Sequence, residues 1–537
     1  WVKLAPGQGT AQVRASLQRN AGTVTTFHTV VGNTTVNDST WTRLTTTYDV
    51  ALANSSLQFY VETASGTPSF YIDDVSIVYV PPPAIEPELP SLAEVFANYF
   101  DIGTIAYAGN ITGVHSDLLA KHFNSITSEN DMKWDATEPT EGNFTFTNAD
   151  AQLNFAKAHG MKMRGHTLVW HQQVPAWVFN DPATGTTMQP SEANKALLLN
   201  RLRNHIRGVM QHFGNDIWAW DVVNEAIDPS QPDCMRRSVW YNITGKEFID
   251  VAFQAARQYA PNAKLYYNDY STTDEPKQTC IYNLVADLKS RGIPIDGVGH
   301  QMHINLDYPG VPTVVNMINR FAALGIDQQI TEMDFSTPSG FGTYEDIPAN
   351  VIAREGYEYR DYFDAFRQLR GKISSITLWA MADDHTWLTS NGNVRAPVLF
   401  DPGLRAKPSY WGLVDPSRLP GSQLTGSVSK SGTAGARVYT ITLNNPGPGT
   451  AFWSQVAGFN LNQVSGAACT PVVTAPSFPV MLGDIAAGAS ASTAVTVDFT
   501  GCAATARFTM TVPYSSGAPN YNSIGADKKT LVRTDFR

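Results

Sequence analysis

Apolar and polar positions alternate with a period of two through most of the first 80 residues. In "LQFYVET" Leu57, Phe59 and Val61 fall on one side and Gln58, Tyr60 and Glu62 on the other. That spacing predicts the half-buried strands of a partial β-sandwich over residues 1–80. In "FYIDDVSIVYV" the alternation passes through Phe70 and Ile72 and resumes at Val75, Ile77 and Tyr79. The slip of one residue predicts a bulge at Asp73 and Asp74. "VPPPAIEPELP" then places five prolines in eleven residues, which excludes helix and central strand and predicts a stiff linker over 81–90.

From 91 to 418 the pattern changes to short β-rich runs separated by helical stretches. Eight runs stand out: "FDIGTIAYA", "SITSEN", "KMRGHTLVW", "IWAWDVVNEA", "KLYYNDY", "IDGVGHQMHI", "DQQITEMDF" and "SITLWAMAD". Between them, Leu198, Leu202, Ile206, Met210 and Phe213 recur at helical spacing before Gly214, a helix with a glycine stop. A second helix is predicted to open on a capping box of Thr244 and Glu247, to bury Phe248, Val251, Ala255 and Tyr259, and to end at Pro261. Eight βα repeats in this length predict an α/β fold, a (β/α)8 TIM barrel whose reactive groups stand at the C-terminal ends of its strands. Beyond Pro420, runs such as "ARVYTITLNN", "STAVTVDF" and "ARFTMTVP" predict a second small all-β sandwich over 425–514, followed by a polar tail over 515–537.

Composition narrows the chemistry. The chain has 537 residues, of which 43% are hydrophobic, enough for several cores, and a formal charge of −10. That balance argues against nucleic acid or an acidic membrane surface as partner and favours a neutral substrate. Without an apolar stretch of about 18 residues, no membrane span is predicted. The four cysteines, Cys234, Cys280, Cys469 and Cys502, fall two and two in separate regions without C-x-x-C spacing. They fit two isolated disulfides better than a metal site, and with N-x-S/T acceptors such as Asn33 and Asn242 they predict a secreted, extracellular protein. A monomer is the default expectation.

The fourth run ends on Glu225, after Asn224; the seventh carries Glu332 before Met333 and Asp334. In a barrel these tips face one cavity. Two carboxylates there suit glycoside hydrolysis, in which one donates a proton to the leaving oxygen and the other meets the cationic sugar carbon. Rim carboxylates held by Lys or Arg are the bland alternative. Other tips add Glu129, Asn130 and Lys133, then His166, Trp170 and His171, then Asp269 and Tyr270, Gln301 and His303, and finally Trp379 and Trp387. Amides, imidazoles and flat indoles together are what a sugar ring demands, for its hydroxyls and for its C–H face. His166, His171, His300 and His303 raise a metal hydrolase as a rival, but they lack H-E-x-x-H spacing, and alternation points His300 and His303 to opposite faces. No metal and no catalytic cofactor are expected.

The segments "SENDMKW", "GHTLVWH", "WDVVNEA", "YNDY", "GVGHQMH", "ITEMDF" and "PVLFD...KPSYWGLVD" resemble, in order and approximate spacing, family 10 glycoside hydrolases, the endo-β-1,4-xylanases. The resemblance spans 91–416. It implies a retaining (β/α)8 enzyme that attacks xylan and xylo-oligosaccharides internally, with Glu225 as acid/base and Glu332 as nucleophile. It assigns Glu129, Asn130 and Lys133 to the sugar on the non-reducing side, and His166, Trp170, Asn224, Gln301, Trp379 and Trp387 to the sugar at the cleavage point. His303 would orient Glu332, and Tyr270 would face the leaving group.

Two departures from that family pattern stand out, Met302 and an apparent insertion from Asp228 to Asn242 containing Cys234. Cys234 and Cys280 follow neighbouring strands, which predicts a disulfide between their loops. The first 80 residues resemble part of a family 22 carbohydrate-binding module, through "VRASLQRN", "LQFYVET" and "FYIDDVSI"; a structural calcium there is left open. A β-1,4-glucanase or a mixed xylanase and cellobiohydrolase on the same barrel is the nearest rival activity. A polysaccharide-binding protein on an inactive barrel is the non-enzymatic one.

Overall fold

A computed structural model describes residues 1–21, 24–48, 56–78, 84–390, 392–517 and 528–536. The chain divides into two compact units, Trp1–Pro83 and Ala84–Arg537.

In the first unit, strands Val24–Asn37, Thr10–Ala21 and Ser56–Thr63 form an antiparallel sheet in that order, and Val2–Leu4 pairs with Phe70–Ile72. Val2, Leu4, Val13 and Val36 make a small core. Leu57 and Phe59, on the face read as inward, remain 43% and 42% exposed; three strands are too few to cover that face. The bulge at Asp73 and Asp74 is not seen. The strand stops at Ile72, Asp74 takes a positive φ of 50° and Val75 is exposed; among the described residues its one strand partner is Val2–Leu4, which pairs no further than Ile72. Tyr79 lies outside the described residues.

The second unit holds the barrel. Its eight parallel strands are Asp101–Ala106, Ser125–Ser128, Lys162–Gly165, Ala219–Asn224, Lys264–Asp269, Gly297–His300, Asp327–Ser336 and Ser375–Leu378. Each pairs with the next, and the eighth closes on the first through Ser375 and Asp101. The sixth run breaks at Gln301 and Met302, the latter at φ 60°, before a short strand His303–Asn305 resumes beside Asp334. The break sends His300 outward to Gln328 and Phe321 and leaves His303 at the barrel mouth.

The helix Glu192–Phe213 buries Leu198, Leu202, Ile206, Met210 and Phe213; Ser191 caps its start and Gly214, at φ 56°, ends it. The capping box on Thr244 and Glu247 does not form. Thr244 ends the preceding helix Val239–Thr244, where its hydroxyl donates to the Trp240 carbonyl, and Glu247–Tyr259 starts without a side-chain cap. The local hydrogen bond within the helix outcompetes the cap.

The proline-rich segment read as a linker is described only in its second part. Residues 81–83 lie outside the described set, whereas 84–90 lie against the barrel: Leu89 is buried, Pro87 accepts from Lys121, Pro90 from Tyr410, and Glu86 from the Ala406 amide. Proline carbonyls still accept hydrogen bonds, so extended chain can dock where it cannot pair as a central strand.

The C-terminal sandwich has one sheet ordered Thr425–Thr433, Ala436–Asn444, Ser490–Asp498, Val472–Ala475. In the other, Arg507–Ser515 pairs with Asn460–Ser465 and Ala451–Val456, and the latter with Val480–Ile485. Tyr439, Ile441, Leu443, Val495, Val497, Phe508, Met510 and Val512 fill its core. The segment read as a tail supplies a strand, Lys528–Phe536, antiparallel to Arg507–Ser515; an open sheet edge captures a sequence too polar to stand alone. Disulfides join Cys234 to Cys280 and Cys469 to Cys502. Tyr357, on the barrel helix Ala349–Gln368, donates to the Pro420 carbonyl and meets Phe452 edge-on at 6.0 Å, so the sandwich is seated on that helix. No helix among the described residues is long and apolar enough to cross a membrane.

Candidate active site

Glu225 follows the fourth strand and Glu332 lies within the seventh, with its backbone N–H bonded to the Gln301 carbonyl. Glu225 adopts φ 57°, a conformation that costs a non-glycine residue free energy and concentrates at functional sites. Its amide donates to the Asn268 carbonyl at 2.9 Å, which anchors the turn to the fifth strand. One carboxylate oxygen accepts from Gln301 at 3.0 Å and the other from the Trp170 indole at 3.0 Å.

Glu332 is 5% exposed. Its Oε1 accepts from the Asn268 side chain at 2.7 Å and its Oε2 from His303 at 3.1 Å. Burial pushes its carboxyl up, but the His303 hydrogen bond and the charges of His166 and His303 outweigh it and leave the group below its usual value. An ionised, buried carboxylate beside a cationic imidazole is a state suited to nucleophilic attack. His303 in turn bonds Asp334 at 2.9 Å, and the same carboxylate oxygen accepts from Trp387 at 2.8 Å.

Around this pair the predicted residues converge. Asn224 lies within 2.9 Å of the Asn268 amide and 3.2 Å of Gln301. His166 bonds Asp221 at 3.0 Å, and Arg164 pairs with the same carboxylate from below. Trp379 meets His166 edge-on at 5.3 Å, and Trp387, 56% exposed, lies 4.9 Å from the His303 ring. Lys133 donates to Asn130 at 2.9 Å and to Gln173 at 2.7 Å, over the Trp170 ring. Burial lowers the Lys133 ammonium from its usual value, against the pull of Glu332 and Glu129. Glu129 accepts from His385 at 2.8 Å. Tyr270 is 36% exposed, with its hydroxyl accepting from Arg236 at 2.9 Å.

Asp269 does not face the cavity. It is buried against Lys277 at 2.7 Å and also accepts from the Tyr267 hydroxyl and the Tyr270 amide; burial raises it to about 6. His171 stays half-buried, edge-on to Trp170 at 5.6 Å. Asn268, Gln173, Asp221 and Arg236 were missed by sequence reasoning. Asn268 had a signal: it alternates in phase with Tyr266 on a strand whose next residues carry Asp269 and Tyr270. Among the described residues no group of three or more His, Cys, Asp or Glu is arranged to hold a metal ion.

The decisive comparison concerns the barrel: residues 91–416 match Glycosyl hydrolase family 10. The chain belongs to that family. Relatives of this family member include the "Endo-1,4-beta-xylanase A" of Caldicellulosiruptor sp. (strain Rt8B.4), 38% identical over 412 residues, 76% of this chain and 59% of that protein. The "Thermostable celloxylanase" of Thermoclostridium stercorarium is 43% identical over 62% of this chain and 89% of its own. The "Exoglucanase XynX" of Acetivibrio thermocellus is 37% identical over 81% of this chain and 41% of its own. The chain thus spans between about two fifths and three fifths of the length of the longer relatives it matches. Among solved structures, xylanase B from Clostridium stercorarium F9 aligns with a TM-score of 0.59 at 43% identity, over 61% of this chain and all of that one. The family confirms the (β/α)8 fold; the flanking all-β regions lie outside the matched segment.

Proposed function

We propose that this family 10 member is an endo-1,4-β-xylanase that hydrolyses internal xylosidic linkages of xylan with retention of configuration. One observation carries the reading: Glu332, buried and held below its usual carboxyl value by His303, shares a single hydrogen-bond network with Glu225 through Asn268, Asn224 and Gln301. Relatives named as xylanases support the substrate class, as does a neighbour described as a mutant in complex with xylotriose.

In the proposed sequence Glu332 attacks the anomeric carbon while Glu225, protonated, delivers its proton to the leaving oxygen. With the leaving sugar gone, Glu225 takes a proton from water, which opens the glycosyl ester on Glu332. His303 keeps Glu332 ionised, and Asn224 donates to the sugar 2-hydroxyl, a bond that strengthens as the ring flattens. A 2-fluoro-xylobiosyl reagent should label Glu332 alone. Label on another residue, or products of inverted configuration, would refute the mechanism.

A second reading has specific support, since relatives are also named "Thermostable celloxylanase" and "Exoglucanase XynX". Rates on aryl xylobioside and aryl cellobioside separate the two, because the glucose hydroxymethyl group must fit beside the sugar pocket. We further infer a secreted enzyme, consistent with its two disulfides, and a xylan-binding role for residues 1–80. Retention on insoluble xylan by the full chain but not by one starting at Ala84 is the expected result for that role.

A further inference from the structure

The leaving-group wall of the cleft is built by two loops that no backbone ladder joins. The first runs from Glu225 through the insertion at Asp228. In it, Arg236 donates through Nε to the Glu225 carbonyl at 2.7 Å and through Nη2 to the Tyr270 hydroxyl at 2.9 Å. The second leads from Tyr270 into the helix Lys277–Ser290. At the start of that helix the Lys277 ammonium, 5% exposed, lies 3.1 Å from the centroid of the Tyr270 ring and pairs with Asp269. Tyr270 is therefore held twice, at its hydroxyl by the first loop and on its ring face by the second. The two holders sit next to the two halves of one covalent bond: Arg236 is two residues past Cys234, and Lys277 is one helical turn before Cys280.

We propose that the Cys234–Cys280 bridge and Arg236 are a positioning device. The bridge fixes the spacing of the two loops, and Arg236 transmits that spacing both to Tyr270 and to the backbone of Glu225, so that a sugar bound on the leaving-group side is registered against the acid that protonates its oxygen. The inference rests on the roles given above to Glu225 and Tyr270. An aromatic platform gains affinity from being held in place before the ligand arrives, since less freedom is lost on binding. Arg236 is suited to this because its fork can bond two acceptors at once.

The device acts on sugars beyond the scissile bond, so its loss should depend on what occupies that side. Cys234→Ser/Cys280→Ser in the full chain should raise KM for xylohexaose by about tenfold with kcat changed less than about threefold, while kcat/KM for an aryl xylobioside, which places no sugar there, stays within about twofold. Arg236→Lys should likewise raise KM for xylohexaose more than it changes kcat/KM for the aryl xylobioside, because its single ammonium cannot bond the Glu225 carbonyl and Tyr270 together. If the double variant does not fold, the folded wild-type chain reduced with a phosphine and checked by mass supplies the same comparison. Unchanged xylohexaose KM in a folded, unbridged protein overturns the proposal, as does an equal loss on both substrates. Failure of the wild-type chain to cleave either substrate would instead overturn the functional reading.

Discussion

His303 stands between two carboxylates, with Nε2 3.1 Å from Glu332 and Nδ1 2.9 Å from Asp334. Burial favours its neutral form, but the charge and hydrogen bond of Asp334, followed by those of Glu332, prevail and push it up to about 10. Both ring nitrogens then donate, which locks the imidazole and aims one N–H at Glu332.

A pH dependence follows from that value. The folded value lies above the unfolded one of about 6.5, so the stabilisation is complete below about 6.5 and is lost as pH rises through about 10. Unfolding free energies by urea titration should decline on that alkaline limb in the wild type and not in His303→Gln. Parallel declines in the two proteins would contradict the assignment.

On the proposed mechanism, removing Glu225 should separate the two chemical steps. Glu225→Ala is expected to lower turnover of xylan by about 10²- to 10⁴-fold. The first step on a dinitrophenyl xylobioside, whose leaving group needs no proton, should be far less affected. A burst of dinitrophenol followed by slow turnover is the expected trace, and equal losses on both substrates would argue against Glu225 as acid.

Asn268 touches Asn224 and Glu332 from one amide nitrogen, at 2.9 and 2.7 Å. Asn268→Ala should leave the buried Glu332 carboxylate short of a donor, at a cost of about 1–3 kcal/mol. We expect kcat to fall by at least about tenfold with only a small rise in KM, because the amide acts on Glu332, the nucleophile of the proposed mechanism. Activity within twofold of wild type would show the bridge to be dispensable.

Gly165, next to His166 at the end of the third strand, packs under Trp220. A Cβ there would lie 2.2 Å from the indole ring. Gly165→Ala should therefore destabilise the barrel by about 1–3 kcal/mol through overpacking, seen as a lower Tm. An unchanged Tm would mean that Trp220 can move aside.

Much of this was legible in the chain itself. Eight β-rich runs separated by helical periodicity determined the barrel, because strands buried on both faces read as apolar blocks and amphipathic helices as 3.6-residue repeats. Glu225 and Glu332 were legible for the same reason: each terminates or lies within a recognisable run, and a barrel gathers its strand tips at one mouth. Folding together decided the rest. Thr244 matched a cap in spacing yet bonded Trp240; Lys528–Phe536 is a strand only because Arg507–Ser515 offers it an edge. Asn268 lies in the "YNDY" segment without a role of its own there, Arg236 and Gln173 lie in no such segment, and the contacts that give all three their roles come from residues 11 to 64 positions away along the chain. The ionisation of Glu332 and His303 likewise depends on partners brought within about 3 Å. Periodicity is a local property that sequence records directly; hydrogen bonding and charge depend on distance in space, which only the closed barrel sets.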